Sequence, residues 1–306
     1  MSTRSIIGTA LIALSLAVAP AGTAAQSPAP VVVIGADGAD VAIADSSRVV
    51  TLGGVTTEIA WALGAADQVV GFDASSYYPR EIFAKGAPLP YYRMLTAEPV
   101  IALEPTLVVG TADAGPAEAI QQIRDAGIPV LLLPTDDGVE AARSRIVTMG
   151  TALGHEDEAA AIVATLDADL VAASDLVAGV TGDRTVLFLL LPPGSPMLAS
   201  GSGSAADAMI GLAGARNALA DVPGYLPLTP EVAAAAAPDV ILTTTSSLEA
   251  AGGIEALLAT PGLAETPAGP AGAVVALDDL ELLGFGPRTG LAVAALARAL
   301  HPELAQ

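Results

Sequence analysis

The chain has 306 residues, of which 53% are hydrophobic and 3% aromatic, which is enough for a large aliphatic core in two α/β lobes of ordinary size. Its formal net charge of −21, from 33 acidic against 12 basic residues, excludes nucleic acid and anionic lipid as partners, because too few cations are present to neutralise phosphates. The absence of cysteine excludes disulfides, thiolate metal sites, Fe–S clusters and cysteine nucleophiles.

The first 25 residues have the three parts of a secretory signal peptide. A positive start, Met1–Arg4, precedes an apolar run, Ile6–Ala19, that is too short to span a bilayer comfortably, and small residues follow at 22–25. We predict cleavage after residue 25 and export, which places the mature protein in the periplasm of a host that has an outer membrane. An N-terminal anchor helix is the alternative. Residues 26–46 are predicted to form a leader.

Residues 47–154 show the pattern of a first α/β lobe. A strand at Arg48–Leu52 is followed by a helix that begins near Thr56, with Glu58 in its first turn, and then by a strand at Gln68–Phe72. Alternating strands and helices are typical of an open α/β sheet, in which ligands bind at the carboxyl ends of the strands. The loop after Phe72 is therefore expected at the binding edge.

A long helix and a second lobe complete the predicted fold. Residues 155–180 place apolar residues at helical spacing, contain no proline, and are predicted to form a rigid connector helix. Residues 181–306 repeat the strand–helix pattern, from a strand at Thr185–Leu191 to a final helix at Thr289–Leu300. The predicted fold class is α/β, with two Rossmann-like lobes joined by a single long α-helix.

Phenols and guanidinium groups are concentrated in two loops of the first lobe. Four of the five tyrosines lie between residues 71 and 98. Tyr78 precedes Pro79, which favours an extended backbone, so its phenol is held on a stiff turn from which it can coordinate ferric iron as phenolate. The alternative is an ordinary tyrosine, half-buried at the edge of the lobe.

Two arginines accompany these tyrosines as candidate binding residues. Arg93 follows Tyr92 directly and can hold a carboxylate or stabilise a phenolate, or it can pair with one of the many surface acids. Arg288 lies on a glycine- and proline-containing turn before the final helix. That turn can aim the cation into a cleft, although helix-entry turns commonly look like this.

The glycine-rich segment Gly201–Ala206 fits the outline of a dinucleotide-binding fingerprint, with Asp221 twenty residues further on. A proline pair separates it from the preceding strand, so a tight turn leading into a helix capped by Ser204 is the favoured interpretation. The two histidines, His155 and His301, are far apart and show no metal-ligand spacing. No catalytic motif stands out, and we predict that the protein is not an enzyme.

Five segments carry a family resemblance: Asp73–Pro79, Tyr92–Glu98, Ser204–Ile210, Gly224–Glu231 and Leu283–Thr289. Together they resemble the haem (hemin)-binding substrate-binding proteins of bacterial ABC importers, in the structural class of the vitamin B12 and siderophore binders. The resemblance covers nearly the whole mature chain. It implies a class III periplasmic binding protein with a helical backbone between its lobes and the ligand in the cleft.

The resemblance also implies a ligand and the residues that hold it. Ferric haem b is the implied cargo, with Tyr78 as the axial iron ligand and with Tyr77, Tyr92, Arg93 and Arg288 as further contacts. The few aromatic residues leave open how the macrocycle is held. A siderophore or a corrinoid such as vitamin B12, bound by the same architecture, is the first alternative, and an exported oxidoreductase is the second.

The implied partners are an ABC permease with its ATPase and, upstream, an outer-membrane haem receptor system. Related binders dock on their permease through one glutamate per lobe. Glu58, at the predicted start of the first helix, and Glu231, in the sequence Thr-Pro-Glu-Val, match those positions best. Both are therefore expected to be exposed.

Overall fold

The computed structural model describes residues 29–180, 183–192 and 194–305. The predicted signal peptide lies outside these ranges. Within them, no helix combines the length and the apolar character needed to cross a membrane. Two large, separate sheets with helices around them confirm the prediction of an α/β fold with two lobes.

The chain begins with an antiparallel hairpin of β1 (Val31–Ile34) and β2 (Asp40–Ile43). The hairpin is fastened to the first lobe at its turn. There Arg124 donates a hydrogen bond to the Asp37 carboxylate at 2.7 Å, and the Ala36 N–H donates to the Leu132 carbonyl at 2.7 Å. Residues 31–43, which were predicted as part of a leader, thus form a hairpin packed on the first lobe.

The first lobe, called the N-lobe from here on, is built on a parallel sheet of order β5-β4-β3-β6-β7. Every residue of β3, β6 and β7 is buried, as expected for a parallel sheet covered on both faces. Its elements are β3 (Val49–Leu52), α1 (Gly54–Ala62), β4 (Val69–Asp73), β5 (Ala87–Leu89), α2 (Ala97–Ile101), β6 (Leu107–Thr111), α3 (Ala117–Asp125), β7 (Val130–Leu133) and α4 (Val139–Leu153).

The predicted long helix is present as α5 (Glu156–Val177) and begins within a residue of the expected position. It follows the N-lobe in the sequence and packs against α4 and against the final helix of the chain. Its fully buried residues, Ala159, Leu166 and Ala173, are spaced seven apart, so they lie along one side of the helix. The acids of its first turn, Glu156, Asp157 and Glu158, are exposed, whereas Asp167 pairs with Arg143 of α4.

The second lobe, called the C-lobe, has a mixed sheet of order β11-β9-β8-β12-β13, with β10 beside β8. Strands β9 and β11 are antiparallel to their neighbours and were not predicted. The elements are β8 (Thr185–Leu190), β9 (Leu198–Ser200), α6 (Ala205–Leu212), β10 (Arg216–Asn217), β11 (Tyr225–Pro227), α7 (Pro230–Ala236), β12 (Val240–Thr244), α8 (Thr245–Ala251), α9 (Ile254–Leu258), α10 (Ala268–Ala271), β13 (Val274–Leu277), α11 (Asp279–Leu283) and α12 (Thr289–Leu300).

The glycine-rich segment before α6 has a structural role. A Cβ atom on Gly201 would lie 1.7 Å from the Val222 carbonyl oxygen, so glycine is needed for this close approach. Ser204 caps α6 as predicted, because its hydroxyl accepts a hydrogen bond from the Asp207 N–H at 3.1 Å. The Asp207 carboxylate accepts from the Gly203 N–H, so an acid already occupies the place where a dinucleotide fold binds pyrophosphate.

Candidate functional site

A cleft of about 940 Å³ lies between the lobes, near the upper end of the range of roughly 300–1,000 Å³ that ligand pockets span. The segments that follow all five N-lobe strands line one wall, and the segments that follow β12 and β13 line the other. The cleft is therefore at the carboxyl ends of the strands, where ligands of open α/β sheets bind. We call it the main cavity.

Asp73, the last residue of β4, holds the loops of the N-lobe wall together. Its side chain is fully buried and accepts hydrogen bonds from the backbone N–H groups of Gly53 at 2.7 Å, Ser75 at 2.9 Å and Tyr92 at 3.1 Å. The hydroxyls of Ser75 and Ser76 also donate to it. One carboxylate thus fixes the two tyrosine-containing segments relative to each other.

The first tyrosine segment lies directly against the start of α1. The Gly54 N–H donates to the Ser75 hydroxyl at 2.9 Å, and a Cβ atom at residue 54 would come within 2.6 Å of the Ser75 carbonyl oxygen. The hydroxyls of Thr57 and Ser76 lie 2.6 Å apart. The segment that carries Tyr77 and Tyr78 is therefore anchored on its inner side and presents the phenols outward.

Tyr78 lines a smaller neighbouring cavity of about 430 Å³, called the Tyr78 cavity. Its ring is covered by the guanidinium group of Arg288 from the C-lobe, whose Cζ atom lies 3.7 Å from the ring centroid. The side chain is still 38% exposed. Residues from both lobes thus meet at the phenol that the sequence indicated as an iron ligand.

Arg288 is held in this position by two carboxylates. It donates to Glu58 through Nε at 2.7 Å and Nη2 at 3.1 Å, and it also pairs with Glu281. Burial by itself would lower the pKa of Arg288, but the Glu58 carboxylate raises it overall. A cation so paired stays charged at every pH at which the protein is folded.

The position of Glu58 differs from the exposed position that its predicted docking role requires. Helix α1 begins at Gly54, two residues before the predicted start, which moves Glu58 into the body of the helix. There it is 4% exposed, and burial raises the pKa of its carboxyl despite the partner Arg288. In this arrangement the Glu58 side chain faces the opposite lobe, where it pairs with Arg288.

Tyr77 links the two lobes. Its hydroxyl donates to the Asp278 carboxylate at 3.0 Å and accepts from the Leu280 N–H at 2.9 Å. Burial, together with the negative charge of Asp278, raises the pKa of this phenol far above its ordinary value. Tyr77 therefore remains a neutral phenol at physiological pH, unlike the phenolate that ferric iron requires.

Tyr92 and Arg93 lie together on the N-lobe wall of the main cavity. The Tyr92 hydroxyl donates to Asp113 at 3.1 Å, and Arg93 forms an ion pair with the same carboxylate. The guanidinium of Arg93 also lies 5.3 Å from the Tyr92 ring. Burial and the charge of Asp113 raise the pKa of Tyr92, so this tyrosine too stays protonated.

Three residues of the cleft were not chosen as site residues from the sequence. Arg80 lines both cavities, and Phe83 lines the Tyr78 cavity with 61% of its surface exposed. Arg145, almost fully buried, reaches from α4 to the carbonyl oxygens of Gly284 and Phe285 in the C-lobe at 3.3 and 2.9 Å. The proximity of Arg80 and Phe83 to Tyr78 in sequence was an available signal, whereas nothing local marks Arg145.

Histidine does not line either cavity. His155 lies beside Gln68 at the start of α5, and His301 is buried against the Ala213 carbonyl. In the part of the chain that the structure describes, no three or more histidine and carboxylate side chains are grouped to hold a metal ion.

Two exposed glutamates occupy equivalent places in the lobes. Glu98 is in the first turn of α2, which leads into β6, and Glu231 is in the first turn of α7, which leads into β12. Both are exposed. Their sequences correspond as Leu-Thr-Ala-Glu and Leu-Thr-Pro-Glu, a parallel that could have pointed to Glu98 from the sequence alone.

Comparison with solved structures gives close matches among haem-binding proteins. The periplasmic heme-binding protein RhuT from Roseiflexus sp. RS-1 is 42% identical with a TM-score of 0.81, over 86% of this chain and 100% of RhuT. The periplasmic heme-binding protein BhuT, in complex with two hemes, is 44% identical with a TM-score of 0.79, over 85% of this chain and 100% of BhuT.

The similar curated proteins include an ABC transporter lipoprotein and a cobalamin-binding protein. The uncharacterized ABC transporter substrate-binding lipoprotein YvrC of Bacillus subtilis is 30% identical over 70% of this chain and 69% of its own length. A cobalamin-binding protein of Halobacterium salinarum is 28% identical over 84% of this chain and 70% of its own length. The family model for periplasmic binding proteins matches residues 49–280, and the chain therefore belongs to the periplasmic binding protein family.

Proposed function

We propose that this protein captures haem in the cleft between its lobes and delivers it to the permease of an ABC importer. The observation that carries the proposal is Tyr78, a partly exposed phenol beneath an arginine of the opposite lobe. It is supported by the likeness, at 42–44% identity, to proteins described as heme-binding. A binder of this kind makes and breaks no covalent bond in its cargo.

The cargo that fits this site is ferric haem b. A phenolate is a hard, anionic ligand of the kind that ferric haem accepts, and the guanidinium of Arg288 lies over the ring of Tyr78. The guanidinium groups of Arg80 and Arg93 can pair with the two propionates. Phe83 supplies an exposed aromatic surface for the macrocycle in the same cavity as Tyr78.

The ligand assignment is tested by titrating the purified protein with hemin and recording its absorption spectrum. The wild type is expected to give a saturable shift of the Soret band with the charge-transfer absorption of a high-spin ferric phenolate. Tyr78→Phe is expected to lose that absorption and keep its fold, because the ring remains beneath Arg288. Tyr225→Phe, in C-lobe strand β11, is the matched control, because Tyr225 is not among the residues that line either cavity.

An unchanged spectrum in Tyr78→Phe would remove Tyr78 as the ligand. The absence of any saturable shift in the wild type would overturn the haem proposal itself. The second candidate is then a corrinoid, which is favoured by the similarity to a cobalamin-binding protein. Binding of cobalamin or of a ferric siderophore would depend little on Tyr78, because the metal in those ligands already has its own coordination sphere.

Delivery requires contact with the permease, and we assign this contact to Glu98 and Glu231. Both are exposed and both begin a helix at equivalent positions of the two lobes, so a partner with two arginine-bearing surfaces can engage both lobes at once. The site of action is the periplasm, and the partners are a permease with its ATPase. An outer-membrane haem receptor is the expected supplier in a host that has an outer membrane.

A further inference from the structure

The main cavity and the Tyr78 cavity meet at a hydrogen-bonded bridge. The residues that line both are Tyr77, Arg80 and Asp278. Two of these are the partners of the bond between the lobes, in which the Tyr77 hydroxyl donates to Asp278 at 3.0 Å. The bridge therefore crosses the cleft at the boundary between the two cavities.

The position of this bridge separates the proposed iron ligand from most of the binding volume. Tyr78 lines the cavity of about 430 Å³ and is absent from the lining of the cavity of about 940 Å³. A flat macrocycle in the main cavity reaches the Tyr78 phenol only after the Tyr77 side chain has left Asp278. In the closed arrangement, cargo seated in the main cavity is thus separated from the ligand by the bridge, while the Tyr78 phenol is open to solvent through the smaller Tyr78 cavity.

We propose that Tyr77 is a gate that closes the unliganded cleft and sets the rate at which haem reaches Tyr78. The inference rests on the proposed function and adds a regulatory step to the same site. It assigns Tyr77 a role different from that of Tyr78, although the two are adjacent in sequence and equally exposed.

The contacts of Asp278 allow the gate to open without disturbing the C-lobe. Asp278 caps α11 by accepting hydrogen bonds from the N–H groups of Leu280 at 3.0 Å and Glu281 at 3.2 Å. These bonds remain when Tyr77 turns away, so opening breaks only the two hydrogen bonds of the phenol. Tyr77 is 38% exposed, which leaves its side chain a path toward solvent.

A gate of this kind lowers the apparent association rate and affinity by the fraction of molecules that are open. Loss of the two hydrogen bonds in Tyr77→Phe is expected to raise the association rate about tenfold, which corresponds to about 1.4 kcal/mol and lies within the net contribution of two hydrogen bonds. The dissociation rate is expected to stay unchanged, because the bridge reforms only after the cargo has left.

The test is stopped-flow binding of monomeric hemin to the full protein, compared among wild type, Tyr77→Phe, Asp278→Asn and Tyr225→Phe. Tyr77→Phe is expected to accelerate association with the ferric phenolate spectrum intact, and Asp278→Asn is expected to accelerate it less, because the amide oxygen can still accept the Tyr77 hydrogen bond but lacks the charge of the carboxylate. Asparagine is a good N-cap, so Asp278→Asn keeps α11 capped. Tyr225→Phe removes a phenol hydroxyl from the C-lobe away from the bridge and is expected to leave both rates at the wild-type values.

Other outcomes overturn the gate in distinguishable ways. An association rate in Tyr77→Phe equal to that of the wild type means that the bridge does not limit access. Faster dissociation or a lost phenolate spectrum in Tyr77→Phe means that Tyr77 contacts the cargo directly. Failure of the wild type to bind hemin would overturn the proposed function, which is a separate result from an unaltered rate in the variant.

Discussion

The replacement Arg288→Met tests the contact between the lobes that surrounds Tyr78. Methionine keeps a long side chain in place but removes the charge that is paired with Glu58 and Glu281. Glu58 is then left as a carboxyl that is 4% exposed without its only cationic neighbour among the described residues. Removal of one partner from a buried ion pair typically costs about 3–5 kcal/mol of unfolding free energy.

The loss of stability in Arg288→Met should depend on pH, and the direction of that dependence follows from the raised pKa of Glu58. A folded-state pKa above the unfolded value means that ionisation of Glu58 opposes folding, so this contribution to stability is present at low pH and is lost as the pH rises through the folded pKa. Arg288→Met raises that pKa further, and each additional unit costs about 1.4 kcal/mol at neutral pH. The variant is therefore expected to lose more stability at pH 8 than at pH 5.

Urea unfolding at the two pH values measures this effect. The single tryptophan, Trp61, lies in α1 one turn from Glu58 and reports on the N-lobe, while circular dichroism reports on both lobes. Glu281→Gln is the matched control, and it is expected to cost less than about 1 kcal/mol because that carboxylate is partly solvated. Addition of Glu58→Gln to Arg288→Met should restore most of the loss.

The reasoning is refuted if Arg288→Met costs less than about 1 kcal/mol at pH 8 or costs the same at pH 5 and pH 8. Either result would mean that Glu58 finds water or another partner once the guanidinium is removed. The burial of Glu58 would then not be what stabilises the position of Arg288 over Tyr78.

Two further predictions concern delivery and the N-lobe loops. The double replacement Glu98→Arg with Glu231→Arg is expected to abolish transfer to the permease in proteoliposomes. Hemin binding is expected to stay unchanged, since both side chains are exposed and neither lines a cavity. Normal transfer would show that docking uses other residues. The replacement Asp73→Asn places an amide N–H₂ group opposite backbone N–H donors. It is expected to lower the free energy of unfolding, measured with denaturant, by about 3 kcal/mol. A cost below about 1 kcal/mol would show that the loops do not depend on the carboxylate.

Local sequence patterns predicted much of the fold. The buried strands β3, β6 and β7, the long helix α5 and the final helix α12 were all predictable, because hydrophobic period and turn residues act over a few positions. The helix cap at Ser204 and the pair of tyrosines before Pro79 could be recognised in the sequence for the same reason. The segment with Tyr78 was placed at the binding edge because loops after parallel strands meet there.

The tertiary structure alone decided what these residues contact. Tyr77 and Asp278 are 201 residues apart, and Glu58 and Arg288 are 230 apart, so no local pattern encodes either contact. Glu58 looked like an exposed helix-start residue, yet the packing of one lobe on the other buries it. The sequence by itself determined the elements and the chemistry available at the cleft. Only the packing of the two lobes decided that Tyr77 is bonded across the cleft to Asp278 and that Tyr78 lies beneath Arg288.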